Sequence, residues 1–316
     1  MKKVDIIRIC LILVFIAIAS AAPFSLPSYW TSFLFLFFVY TTLCEMFNLL
    51  LGYSGMLALG IHGFVGFGGY MLAITSTIWR LPAWVSVLFS GAMCVLLALG
   101  TSFLISRMKG IYFGLGTLIT ASALFYWFQS WSYAGGGYGM PLVTTVSALD
   151  LYYGSLAVAV ASILISYVFV RSRIGLRLRA MADDELAAES YGINVFRTKL
   201  YCWLLTAFFS GFVGSLYFLY SNFISPSAAF TLYWTLSAIT GVLIGGVQTI
   251  LGPLIGSFII VWLRQTFLVM FPAFSPLIYG ILIIVIMLLF PQGILGALRS
   301  LRRGTKNVMS KKELRQ

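Results

Sequence analysis

Residues 31–51 read TSFLFLFFVYTTLCEMFNLLL, a run with a single charge, Glu45. A bilayer core about 30 Å thick takes about 20 predominantly apolar residues of helix to cross. A helix apolar all round leaves no face for water, so this run is a membrane span. The rest of the chain repeats the pattern. Apolar residues make up 61% and charged residues 9% of the 316 positions, against about 45–50% and about 25% in soluble globular chains. So few charges cannot cover a water-soluble surface, which excludes a sizeable soluble domain.

The same ruler finds ten segments: 6–22, 31–51, 55–76, 83–106, 111–130, 151–170, 200–220, 232–248, 252–270 and 274–290. Pro23, Pro27, Pro82 and Pro226 stand at breaks. Pro253 fits a first helical turn, where its missing N–H loses no partner. Orientation follows from basic residues, which accumulate in cytoplasmic loops. With the N-terminus inside, the inside groups are Lys2, Lys3 and Arg8; Arg107 and Lys109; Arg171, Arg173, Arg177, Arg179, Arg197 and Lys199; and seven more from Arg299 to Arg315. The outside keeps only Arg80, and Arg264 lies within a segment.

The expectation is an all-α polytopic membrane protein of about ten transmembrane helices, some interrupted or short, with both termini cytoplasmic. A membrane domain covers 1–298, including a cytoplasmic loop at 171–199, and a basic tail covers 299–316. The first segment stays open: Lys2, Lys3, an apolar run and Ala19-Ser20-Ala21 also fit a cleaved signal peptide, which would leave nine spans.

The net charge of +12 is topogenic. A nucleic-acid binder clusters its basic residues on a soluble face, whereas these flank apolar runs, so no nucleic-acid partner is expected. Cys10, Cys44, Cys94 and Cys202 form no CxxC, and His62 is the one histidine. Neither a metal site nor a disulfide framework is expected. No cofactor is expected; no GxxxxGK[ST] is present, so the chain has no P-loop for ATP.

Small residues are concentrated in places. Gly110 and Gly114, Gly241 and Gly245, and Gly252 and Gly256 each make a GxxxG, which lets helix backbones approach closely. Residues 52–69 hold seven glycines, among them Gly60, Gly63 and Gly66. Such a run is either a tightly packed helix or one interrupted at membrane depth, which is tolerated where the backbone is buried or lines a cavity. Glu45 and His62 flank the turn at Tyr53 at similar sequence distance. An antiparallel hairpin would bring them to similar depth, about 12–14 Å from the turn at 1.5 Å per residue. Ionisable groups inside a membrane are costly and mark pathways. Glu45, His62, Gly60, Gly63 and Gly66 are therefore candidates for a translocation path; the alternative is plain helix packing. The turns at Gly52-Tyr53-Ser54-Gly55 and Gly245-Gly246-Val247-Gln248 both join an inward span to an outward one.

Four of the eight acids, Asp183, Asp184, Glu185 and Glu189, lie within seven residues of one cytoplasmic loop. The acids open a short helix, where the dipole favours negative charge. Leu186, Ala187 and Ala188 sustain it, and Gly192 can end it in a left-handed cap. A rigid helix with small apolar residues and charged edges suits a groove on a partner; a solvated connector is the alternative.

These stretches carry a resemblance. The loop from Asp183 through Gly192-Ile193-Asn194 resembles the docking loop of ABC-transporter permeases. With Gly52-Tyr53-Ser54-Gly55, Leu57-Ala58-Leu59-Gly60, Ile224-Ser225-Pro226, Gly245-Gly246-Val247-Gln248-Thr249, Gly252-Pro253 and Pro291-Gln292-Gly293-Ile294, the chain resembles the LivM-type permeases of branched-chain amino acid ABC importers. The likeness covers about 48–296 and departs at Gly60-Ile61-His62-Gly63-Phe64, leaving room for a variant solute. It implies a non-enzymatic permease subunit in a bacterial inner membrane, working with a second permease, cytoplasmic ABC ATPases and an extracytoplasmic binding protein. It also implies that Asp183, Asp184, Glu185, Ala187, Ala188, Glu189 and Gly192 form the ATPase-coupling loop. An ion-coupled secondary transporter is the alternative, but such carriers place several polar groups near the midplane, and here Glu45 is the lone acid in a span. A membrane enzyme would need a nucleophile, base and orienter, which one histidine serves poorly.

Overall fold

The structure, a computed structural model, describes residues 19–23, 27–108, 110–142 and 146–270, with 280, 281, 284 and 293 beyond them. The expected spans 6–22 and 274–290, and the tail 299–316, lie almost wholly outside the described residues. Seven helical stretches among those described are long and apolar enough to cross a membrane. The first is α1 (Ser28–Asn48), prolonged by a π turn at Leu49–Tyr53; the second is α2 (Ile61–Ala73), prolonged by another at Ile74–Ile78. Next come α3 (Ala83–Gly100), a short α4 (Phe103–Arg107), α5 (Gly110–Ser130) and α6 (Ala148–Arg171). The charged loop forms α7 (Arg173–Asp183) and α8 (Glu185–Ser190), followed by α9 (Val195–Ser221). A short α10 (Pro226–Ala229) leads into α11 (Tyr233–Gly245), and α12 spans Gly252–Met270.

Two boundaries correct the sequence expectation. The segment expected as helix over 55–76 begins with non-helical chain from Gly55 to Gly60, and helix starts only at Ile61. The segment expected over 232–248 is one helix, α11, that ends three residues early, at Gly245, with a turn at Val247–Gln248. The fold remains helical: the one sheet among the described residues is a pair of two-residue strands, β1 (Met140–Pro141) and β2 (Phe223–Ile224), antiparallel with Met140 opposite Ile224.

Burial separates centre from periphery. In the most apolar part of α1, 89% of residues are buried, and in α2 and α9 78%, against 33% in α3 and 39% in α5 and α6. α9 packs along α2, α3 and α1, while α1 also meets α6, α11 and α12. Glycine sets the closest crossing. A Cβ on Gly68 of α2 would lie 2.5 Å from the Gly211 Cα of α9, so the two backbones touch there. Ser215 Oγ donates to Gly211 O at 2.8 Å and to Gly68 O at 3.4 Å, and it shares a hydrogen bond with Ser90 of α3. Two GxxxG pairs meet each other: a Cβ on Gly245 would strike Gly252 O, and one on Gly256 would strike Gly241 O. α11 and α12 therefore close as an antiparallel hairpin. In the third pair only Gly114 makes such an approach, to Leu57 O at 2.8 Å, while Gly110 has open space.

The bundle has two distinct ends. At one, the Arg179 guanidinium lies 5.6 Å from the Tyr53 ring centroid, and Lys199 pairs with Glu185. At the other, Trp79 Nε1 donates to Tyr133 OH at 3.3 Å, and β1 joins β2. The basic residues gather at the first end and Arg80 at the second, so the first is expected to be cytoplasmic. Single cysteines at Ser172 and Ser190 should then react with impermeant thiol reagents only from inside, and those at Ser132 and Ser147 only from outside. Labelling of position 190 from outside would overturn this orientation.

Candidate functional site

The charged loop is built by four consecutive caps. Ser172 Oγ accepts from Ile174 N at 3.2 Å and Gly175 N at 3.4 Å, opening α7. Gly175, Leu178 and Met181 form its buried face. Asp184 then stops α7 and starts α8: it is extended, and its Oδ1 accepts from Leu186 N at 2.8 Å and Ala187 N at 3.2 Å. An aspartate in that position satisfies orphan N–H groups and favours the dipole. α8 ends at Gly192, whose φ is +79°. Gly192 N donates to Glu189 O at 2.9 Å and Ile193 N to Ala188 O at 3.1 Å, the paired bonds of a Schellman turn. Asn194 Oδ1 accepts from Arg197 N at 2.9 Å and opens α9.

The expected loop residues thus divide. Asp184 is a cap, Glu185 turns inward to pair with Lys199, and Ala188 is buried. Asp183, Ala187 and Glu189 are exposed. So are Leu186 on α8, at 69%, and Tyr191 at its C-terminal cap, at 87%. What sequence reading missed is the pairing of Lys199 with Glu185. Fourteen positions separate the two, and no local pattern signals a pair that bridges two helices.

The loop abuts the glycine-rich hairpin. Gly55, with φ +68°, would place a Cβ 3.4 Å from the Ala182 Cα of α7. A crevice of about 10 Å³ joins the two, lined by Gly55, Met56, Glu185 and Lys199 among others. From Gly55 the non-helical chain runs beside α5 to Gly60, whose N–H donates to Thr117 Oγ1 at 3.2 Å. Unwound backbone at membrane depth needs such internal partners.

His62 opens α2 and is buried; its N–H donates to Thr235 Oγ1 at 3.1 Å, and its Nδ1 lies 2.9 Å from the same hydroxyl. Glu45 is also buried on α1, and its Oε1 has no hydrogen-bond partner among the described residues. No hydrogen bond or ion pair joins the two. The candidate glycines sit in tight packing: a Cβ on Gly60 would strike Thr117 O, one on Gly63 would lie 2.9 Å from Ala121 Cβ, and one on Gly66 2.5 Å from the Phe230 ring. Gly60 and Gly63 also line a small cavity of about 20 Å³ with Thr101, Thr117 and Trp203. The two glycine turns meet as well: Asn48 Nδ2 donates to Thr249 O at 2.9 Å, and its Oδ1 accepts from Gln248 N at 3.1 Å.

A family model described as the permease component of branched-chain amino acid transport systems matches residues 29–290. The chain belongs to this family. LivM of Escherichia coli (strain K12), a high-affinity branched-chain amino acid transport system permease protein, is 25% identical over 90% of this chain and 74% of its own. LivM of Salmonella typhimurium matches to the same extent. The guanosine ABC transporter permease protein NupQ of Bacillus subtilis (strain 168) is 24% identical over 25% of this chain and 24% of its own. No solved structure matches. The permease is a membrane component and not an enzyme; ATP hydrolysis belongs to a partner chain.

Proposed function

We propose that the permease forms the membrane path of a binding-protein-dependent ABC importer in a bacterial inner membrane, carrying branched-chain amino acids or a similar small solute inward. Two cytoplasmic ATPases, a second permease and an extracytoplasmic binding protein complete the machine. In this reading the protein is one membrane domain of about ten spans over 1–298 with a basic tail, and 180–194 receives the ATPase stroke. The observation that carries it is α8: six residues, capped at both ends, clamped by Glu185 to Lys199, and presenting Leu186 and Tyr191 outward. The footing of α7, whose Ala182 lies next to Gly55, lets a push on α8 reach the non-helical chain that leads to His62. Glu45, His62, Gly60, Gly63 and Gly66 stand as path candidates in the same hairpin.

Tagged permease purified from its native membrane is expected to bring down an ATPase, and a cysteine at Ser190 to crosslink to it. Uptake driven by an ion gradient in a preparation free of ATPase would overturn the proposal in favour of a secondary carrier.

A further inference from the structure

Arg264 is the one basic residue in the apolar run 252–270, which the sequence reading takes as a span. It lies twelve positions into α12, about 18 Å along the axis at 1.5 Å per residue, past the midpoint of a core about 30 Å thick. It continues the inward stripe of α12, formed by Gly256, Ser257, Ile260 and Val261, all buried. A guanidinium at that depth is expensive and is expected to face a carboxylate. Among the described residues it has none: no ion pair includes Arg264. Its surroundings are phenolic and aromatic. Nη1 donates to Tyr40 OH at 2.6 Å, and the guanidinium carbon lies 5.6 Å from the Tyr40 centroid and 5.4 Å from that of Tyr233. Trp234 stacks on Tyr40 at 5.6 Å and meets Tyr217 edge-on at 4.7 Å, closing the box.

Four helices contribute to this group: α1, α9, α11 and α12. Tyr233 and Trp234 open α11, so the positive end of that helix faces the same region. Thr235, one residue on, is the partner of His62. The box therefore adjoins the hairpin already singled out. Five N–H donors in a planar fork suit a carboxylate; hydrogen bonds to the Tyr40 and Tyr217 hydroxyls engage part of the fork. Aromatic walls hold the cation in place until an anion arrives.

We propose that Arg264 binds the carboxylate of the solute as it crosses, so that the permease carries a carboxylate-bearing solute rather than a neutral one such as urea or a nucleoside. This rests on the importer reading above.

The test uses the assembled complex with its ATPase and binding protein in proteoliposomes. Leucine is the carboxylate probe, leucinol its neutral analogue, urea the neutral solute. ATP-driven leucine uptake by Arg264→Gln is expected to fall about 10- to 100-fold, the scale of losing a hydrogen-bonded charge pair, with complex yield and basal ATP hydrolysis unchanged. Arg264→Lys should restore part of it. In the wild-type complex, phenylglyoxal should modify Arg264 during turnover, and leucine should slow that modification while leucinol does not. The protection measurement decides the matter even where Arg264→Gln fails to assemble.

Several results would overturn the proposal. Arg264 sealed from the reagent at every stage, equal protection by both compounds, or unaltered leucine uptake in Arg264→Gln would each do so. Loss of the second permease from Arg264→Gln, with no leucine protection in the wild type, would mark an interface residue instead. A complex that moves urea but not leucine would remove the carboxylate assignment and leave the importer standing. Absence of any ATP-driven uptake would fail the importer reading itself.

Discussion

Gly68→Leu is expected to lower the recovery and the melting temperature of assembled permease. α2 and α9 form the most extensive helix pair of the bundle, and their backbones touch at Gly68 and Gly211. A Cβ at 68 would lie 2.5 Å from Gly211 Cα and 2.6 Å from Gly211 O, so backbone, not a flexible side-chain tip, stands in the way. The helices must part, breaking the Ser215 bonds to Gly68 and Ser90. Overpacking a core costs about 1–3 kcal/mol and occasionally more, against a total stability of about 5–15 kcal/mol. Gly100 is the control, since a Cβ there meets nothing within 4 Å, and Gly100→Ala should leave yield unchanged. Size-exclusion of detergent-solubilised complex checks both. Wild-type yield and melting temperature from Gly68→Leu would mean that the crossing is not where stability resides. The neighbouring Gly63 and Gly66 probe a different question. If they line a path, leucine there blocks uptake in an intact complex; if they only pack, recovery falls as at Gly68.

Much of this fold was legible because a membrane asks for one simple property. α5, α6 and α12 lie within three residues of the stretches that apolar length marks out, since about 20 apolar residues are what a crossing requires. The same ruler misreads 55–60. Leu57, Ala58 and Leu59 are as apolar as any span, and hydropathy has no sense of whether backbone is helical. What unwinds that stretch is tertiary: Thr117 satisfies the Gly60 N–H, and Gly114 leaves room for Leu57 O. Glycine pairs announce close approach without naming the partner. The sequence shows 241/245 and 252/256, but not that they meet each other. The left-handed cap at Gly192 was readable because it acts within four residues; Ser172 and Asn194 also cap helices, but nothing local sets them apart from the loop's other polar residues. Glu185–Lys199, Asn48–Thr249 and Arg264–Tyr40 were not, because each joins different elements, 14, 201 and 224 positions apart. Arg264 shows the limit most plainly: it is visible as a charge in an apolar run, and only folding supplies its aromatic box.

Gly192→Val is expected to cut ATP-driven uptake about 5- to 100-fold while leaving the membrane bundle intact. Gly192 has φ +79° and closes α8. A β-branched residue has no comfortable place in the left-handed region; holding one there costs about 1–3 kcal/mol, and each 1.4 kcal/mol is about tenfold in the population of the capped turn. A Cβ at this position meets nothing within 4 Å, so the penalty is conformational and local, not a clash passed on to α9 or α2. The cost falls on the two bonds that end α8, from Gly192 N and Ile193 N, and so on the angle at which Leu186 and Tyr191 are presented. Gly192→Asn separates conformation from composition, because asparagine tolerates left-handed backbone far better than valine. It should retain most uptake. Complex yield and thermal stability of both variants should match the wild type. Uptake and ATPase association undiminished in Gly192→Val would show that the loop needs no defined end, and the coupling role of α8 would fall with that result.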